Sequence, residues 1–284
     1  MEFGFNVEEA MECLKKTKKI EEGAPVEGKE VITLTWGDQA ENGVGMEQLG
    51  KLRPEGSGFS IGELEALASQ FDVAGELYRL CEPDVEGEAN SGLEAAVLVI
   101  RGGVDLLCEK GTEASMFAEQ KALQYDKRKL MRGRVVNSKA RWNLCMDENG
   151  HEADIEGGKG TVIGYDAVPV TMSLVGQFGK VFGDKVIGLK GEGNYYYNID
   201  KCGIGFHGDA ERRIVVAVRL GASMPLYYQW YRQSKPIGDR VEIPLNGGDI
   251  YIMSEKAVGT DWKKKKVATL RHATGAAEYV TVKA

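Results

Sequence analysis

The sequence predicts an α+β protein in which a few helices precede a β-sandwich or jelly roll, and three observations lead there. After Gly191, short β-type runs separated by turns recur at 194–198, 213–220, 226–231, 241–245, 249–253, 267–272 and 279–283, the pattern of sheets closing on one another. Helical periodicity is confined to the residues before them. The chain has 284 residues, 43% of them hydrophobic, which suffices for a full core in one large domain or a domain with an appendage.

Taken in order, Asn6 to Glu9 forms a capping box, Asn-x-x-Glu, ahead of an amphipathic helix with Val7, Met11 and Leu14 on one side. Residues 30–36 alternate as a strand. Residues 37–58 are rich in Gly, Glu and Asn and predict a long loop or a partly disordered segment. Ser60 and Glu63 form a second capping box, opening a helix that carries Leu64, Leu67, Phe71 and Leu77 to about Leu80. Composition changes near Pro83 to Gly92, so the expected division is an acidic, partly flexible N-terminal extension of helices and Gly-rich loop at 1–92, and a second domain at 93–284.

In that second domain, 93–100 predicts a buried strand and 114–123 a helix. A helix with Val170, Leu174, Phe178 and Phe182 on its apolar side has Pro169 in its first turn, where a missing N–H costs nothing. Gly157-Gly158-Lys159-Gly160 lacks the strand-to-helix setting of a phosphate loop.

Charge is unevenly spread. Residues 1–110 hold 23 acidic and 10 basic side chains, and residues 111–284 hold 20 and 26, within a net charge of −7. A polyanion would therefore meet the second part. Between Asp126 and Arg141 stand seven basic residues (Lys127, Arg128, Lys129, Arg132, Arg134, Lys139 and Arg141), followed by Trp142. Cations beside an aromatic suit phosphate contact and base stacking, and a solvated hairpin face is the plainer alternative. No apolar run approaches the about eighteen residues of a membrane span, so no membrane association is expected. The start of the chain is unlike a secretory signal. Five scattered cysteines read as reduced thiols, giving an intracellular expectation, nucleus and cytoplasm undistinguished. Nothing marks a protein partner.

Chemistry concentrates in two of the three histidines. On a strand, i and i+2 share a side, so His207 and Asp209 can reach one metal, and His272 can complete a 2-His-1-carboxylate facial triad that leaves one face of an Fe(II) ion open. His151 lies in a polar turn and is expected to be exposed.

Asn194-Tyr195-Tyr196, then Ile204 through His207-Gly208-Asp209-Ala210-Glu211-Arg212, then Leu245-Asn-Gly-Gly-Asp249 and Gly259-Thr-Asp-Trp262 before His272, form an ordered set. Over about residues 93–284 this set resembles the core of AlkB-type Fe(II)/2-oxoglutarate dioxygenases. The resemblance implies a double-stranded β-helix (jelly roll) with flanking helices, and Fe(II) on His207, Asp209 and His272. It further implies 2-oxoglutarate touching Asn194 and Tyr196, Glu211 reading a target base with Arg212 beside it, and Arg134, Arg141 and Trp142 in a nucleotide-recognition lid. The implied reaction consumes O₂ and 2-oxoglutarate and hydroxylates or demethylates an alkylated base of DNA or RNA. The family's Arg clamp for the distal carboxylate falls on Ala277, leaving Arg219, Arg271 and Lys283 as candidates, with Arg219 and Lys283 preferred and ascorbate as a rival occupant of the open iron face. The same iron chemistry on a protein side chain or metabolite stays open, as does a binding module without turnover.

Overall fold

The protein's structure, a computed structural model, describes residues 28–84 and 92–282. In chain order the elements are β1 (Val31–Gly37), β2 (Gln39–Glu41), β3 (Gln48–Gly50), α1 (Ile61–Gln70), β4 (Gly75–Cys81), β5 (Glu94–Ile100), α2 (Gly103–Leu107), α3 (Thr112–Lys121), β6 (Arg128–Met131), β7 (Arg134–Asn137), β8 (Trp142–Asp147) and β9 (Val162–Gly164). They continue with α4 (Pro169–Phe182), β10 (Lys190–Tyr196), β11 (Gly203–His207), β12 (Val215–Gly221), β13 (Leu226–Arg232), β14 (Lys235–Ile243), β15 (Ile250–Met253), α5 (Glu255–Val258), β16 (Thr269–Gly275) and α6 (Ala277–Val280).

The result is a mixed α+β fold of mostly antiparallel strands. An eight-stranded sheet runs β4-β5-β15-β12-β1-β10-β8-β9, and a four-stranded sheet runs β11-β16-β13-β14. The β8–β9 pair of the large sheet is parallel. Side-chain alternation divides the core into layers. Ile32, Leu34 and Trp36 of β1 and Val216, Val218 and Leu220 of β12 pack with Leu64, Met116, Leu174, Phe178 and Phe182 of the helices. Trp36 meets Phe178 edge to face at 5.3 Å. Toward the other face, Val215, Ala217, Tyr251 and Met253 pack with Tyr228, Trp230 and Leu270 of the small sheet. With both faces covered, β12 is buried at all seven positions, apolar from Val215 to Val218 and interrupted by Arg219.

Several expectations change. The expected helix at 6–14 lies outside the described residues. The separate extension at 1–92 does not describe residues 31–81, because β1 sits inside the large sheet, paired along its whole length with β10 and β12, and β4 forms its edge. The expected loop at 37–58 contains the β2–β3 hairpin. Buried carboxylates order it: Asp38 accepts the N–H groups of Arg53 (2.8 Å), Arg213 (2.7 Å) and Ile214 (3.1 Å), and Glu255 accepts those of Gly56 and Gly58. The Ser60 capping box is present, but α1 stops at Gln70 and Leu77 belongs to β4. The chain reverses there so tightly that a Cβ on Gly75 would lie 2.6 Å from the Ala68 carbonyl oxygen. Where a strand is expected from 279, Ala277–Val280 instead form the helical turn α6, laid over β11, where Gly203 leaves room for the Tyr279 ring; residue 283 lies outside the described residues. The helices at 114–123 and 166–182 and the buried strand at 93–100 form close to their expected limits.

Candidate metal centre

β11 and β16 are antiparallel neighbours, and their register sets His207 directly opposite His272. Two residues beyond β11, Asp209 is fixed by its own N–H, which donates to the Val258 carbonyl at 3.0 Å. Gly208 is required between them, since a Cβ there would lie 2.2 Å from the Gly259 carbonyl oxygen. His207 Nε2 and His272 Nε2 stand 3.5 and 3.6 Å from the same atom, Asp209 Oδ1. The three ligand atoms lie within 4.8 Å of one another, so the group could hold a metal ion. His207 Nδ1 lies 2.8 Å from the Gly205 carbonyl oxygen. An N–H donated there leaves Nε2 unprotonated and aimed at the metal position, the usual outer support of a ligand histidine.

Burial alone would raise the Asp209 carboxyl, but the neighbouring His272, His207 and Arg212 together hold it well below the usual carboxylate range. Asp209 is thus anionic and acceptor-only at neutral pH. Arg212 lies 3.9 Å from Asp209 Oδ2 and 3.6 Å from Glu211 Oε1, and it hydrogen-bonds Glu192. It is 4% exposed, a buried cation held among carboxylates, with Glu211 beside it.

The centre opens into a cavity of about 680 Å³ between the two sheets. Asn194, Tyr196, Arg219, Glu211 and Arg141 all line it, so five further sequence-predicted residues gather here. Asn194 Oδ1 accepts from Arg141 Nε at 2.5 Å and Asn143 Nδ2 at 2.6 Å, while its Nδ2 donates to Glu192 Oε1 at 2.9 Å. Arg219 is fully buried; Nη1 donates to Thr33 Oγ1 at 2.5 Å, and among the described residues Nε and Nη2 find no partner. A buried guanidinium with unpartnered N–H groups carries a desolvation cost that a bound anion would offset. Burial, then the Asp209 charge, push the Glu211 carboxyl up to about 7.

Other expected residues lie elsewhere. Trp142 does not line this cavity; it stacks on Tyr197 at 4.6 Å, and Lys127 Nζ stands 4.3 Å from its ring centroid. Trp142 is engaged in packing there, which corrects its placement beside a substrate base. Arg134 is exposed near the tip of the β6–β7 hairpin, away from the cavity wall. Arg271 turns to the outside of the small sheet, 3.9 Å over the Tyr231 ring. Lys283 lies outside the described residues. His151 is exposed as expected and pairs with Glu47 at 3.0 Å.

Lys129 of the basic run also lines the cavity, as do residues not singled out in the sequence: Thr33 and Thr35 of β1, Glu41, Glu192 and Tyr251. The two threonines carried a signal, as polar positions alternating with Ile32, Leu34 and Trp36. Burial raises the Glu41 carboxyl above its ordinary value.

The fold and site define an antiparallel two-sheet protein with a His–Asp–His candidate metal centre between its sheets. Over 255 residues the chain is 45% identical to an uncharacterized protein of Acanthamoeba polyphaga mimivirus, an alignment spanning 89% of this chain and 98% of the viral one. The chain belongs to that protein's family. No family model matches it. Among the described residues, no helix is long and apolar enough to cross a membrane, and Cys81, Cys108, Cys145 and Cys202 are free thiols.

Proposed function

We propose that this chain is an Fe(II)- and 2-oxoglutarate-dependent dioxygenase that hydroxylates or demethylates an alkylated base in DNA or RNA. The observation that carries the reading is one cavity holding both the His207–Asp209–His272 group and the buried, half-unpartnered Arg219. Two imidazoles and one carboxylate suit iron(II) and leave positions open for further ligands. Once bound, the iron supplies activation of O₂ coupled to decarboxylation of the co-substrate.

The chain's own residues do the rest. His207 and His272 bind as neutral imidazoles, and Arg212 orients Asp209. Arg219 receives the distal carboxylate of the dicarboxylate through Nε and Nη2, the role that Ala277 cannot fill. Asn194 is itself held by Arg141, Asn143 and Glu192 and presents a fixed edge to the same cavity. Glu211, with its carboxyl up to about 7, can donate as well as accept at the face of a base.

The jelly-roll reading draws support from strand order. From β10 on, successive strands alternate between the large sheet (β10, β12, β15) and the small one (β11, β13 with β14, β16). An eighth strand is then due between β10 and β12, and β1 holds that position. In this reading β1 closes the roll, and among the described residues the helical turn α6, not a strand, follows β16. Thr33 and Thr35 of β1 line the cavity, and Arg219, on the neighbouring strand, bonds Thr33.

One observation favours a protein side chain or metabolite as substrate: Arg128, Arg132 and Arg134 do not line the cavity. Incubation of the Fe(II)-loaded protein with 2-oxoglutarate and methylated oligonucleotides, followed by digestion and weighing of the nucleosides, tests the proposal. Loss of the methyl group or gain of one oxygen is expected. An unchanged nucleoside with succinate still formed transfers the chemistry to another substrate. Product without succinate ends the 2-oxoglutarate assignment and favours ascorbate.

A further inference from the structure

The turn entering β16 carries Lys263, Lys264, Lys265 and Lys266 in succession, all exposed. Among the described residues none of the four makes an ion pair. The neighbouring charges are engaged elsewhere: Lys256 binds Asp261 at 2.8 Å, and the Arg271 guanidinium packs on Tyr231 at 3.9 Å and Trp262 at 5.3 Å. Four adjacent like charges repel one another, and binding of a polyanion relieves that repulsion with release of its counterions.

The turn's position gives this charge a purpose. Trp262 and Lys263 line the same cavity as His207, Asp209 and His272. The backbone is fixed by hydrogen bonds from Trp262 N–H to the Gly259 carbonyl at 2.9 Å and from Lys264 N–H to the Asp261 carbonyl at 2.8 Å. Gly259 packs against Gly208, between two of the candidate ligands. Lys263 Nζ lies 5.4 Å from the Trp262 ring centroid, and the indole Nε1 is buried without a partner. Toward the large sheet, Lys129 and Arg141 line the same cavity. Its mouth therefore has cations on the sides of both sheets and an aromatic ring on one.

We infer that the 263–266 turn is a phosphate-binding wall for the strand that carries the target base. The strand's backbone crosses the cavity mouth between this turn and the Lys129–Arg141 side. Trp262, lining the cavity beside these cations, fits a base lying against an aromatic ring better than an acidic peptide. This inference rests on the nucleic-acid reading and adds the part of the surface that meets the backbone.

The test compares salt dependence of binding for single-stranded oligonucleotides carrying an alkylated base. The full chain is set against a Lys264→Ser/Lys265→Ser/Lys266→Ser variant and a hairpin variant, Arg128→Ser/Arg132→Ser/Arg134→Ser. Each phosphate left unneutralised on a single strand changes the slope of log K against log salt by about 0.7, so the lysine variant is expected to flatten it by roughly 2. Its Fe(II) binding and melting temperature are expected to match those of the full chain. An unchanged slope for the lysine variant beside a flattened one for the hairpin variant overturns this wall and leaves the nucleic-acid reading intact. No oligonucleotide binding by the full chain at low salt overturns both. Polyglutamate competing as strongly as unmodified oligonucleotide reassigns the turn to an acidic protein.

Discussion

Arg219 is the residue whose surroundings most directly demand a ligand. With no exposure and two N–H-bearing nitrogens unpartnered, it carries an uncompensated desolvation cost that an incoming carboxylate offsets. Arg219→Met is expected to raise the 2-oxoglutarate concentration needed for half-maximal turnover by at least roughly tenfold to a hundredfold, since the loss of even one hydrogen bond to a charged group costs about 1.5–3 kcal/mol. Titration of Fe(II) binding should be unchanged in that variant; loss of iron binding instead would assign Arg219 to the metal site's architecture. Conversely, His272→Ala is expected to abolish iron binding while leaving thermal melting close to the parent, because the imidazole occupies the cavity wall between the sheets.

Glu41 supplies a pH-dependent test. Burial raises its carboxyl in the folded chain, so the folded state prefers the neutral form. Below the unfolded carboxylate value both states are protonated and nothing is lost. As pH climbs through the raised folded value the ionised group is penalised and stability falls. Melting of Glu41→Gln and the parent should therefore converge near about pH 4 and separate in favour of the variant toward about pH 8. Curves that stay parallel contradict this assignment.

Elements differ in how much of themselves they write into the sequence. Helix α1 announced its start through Ser60 and Glu63, and Ser60→Ala should cost about 1 kcal/mol in urea denaturation. Its end was hidden, because apolar spacing alone continued through Leu77 while a tight reversal at Gly75 turned that segment into a strand. His207 and Asp209 were legible because a period of two on one strand dictates a shared side, and Arg219 because its phase on β12 points it between the sheets. His272 was identified as the remaining histidine beyond 207, and the cross-strand register with His207 gives that choice its physical basis. The position of β1 left no local trace. Its partners lie more than 150 residues away in sequence, and pairing over such a distance is set by the whole sheet. Trp142 misled because an aromatic beside cations looks the same whether it stacks on a base or, as here, on Tyr197.

At the scale of the molecule, β1 completes the large sheet, which carries Arg219 and faces the metal centre on the small sheet. A chain lacking residues 1–41 is expected to be unfolded by circular dichroism, since β10 and β12 would each lose a full-length partner and Trp36 would leave the core. A cooperative melt from that truncation would mean the second part folds alone. The acidic first part and basic second part meet at the cavity, Glu41 from one and Lys129, Arg141 and Lys263 from the other.

The account stands on the claim that His207, Asp209, His272 and Arg219 together run iron- and 2-oxoglutarate-dependent oxidation. Counting succinate against oxidised nucleoside in one reaction, with Fe(II), 2-oxoglutarate, O₂ and a methylated oligonucleotide, addresses it most directly. The predicted result is one succinate per oxidised or demethylated base, abolished in Asp209→Ala and restored at high 2-oxoglutarate in Arg219→Met. Nucleoside oxidation that persists in Asp209→Ala, or that proceeds without succinate, would contradict it.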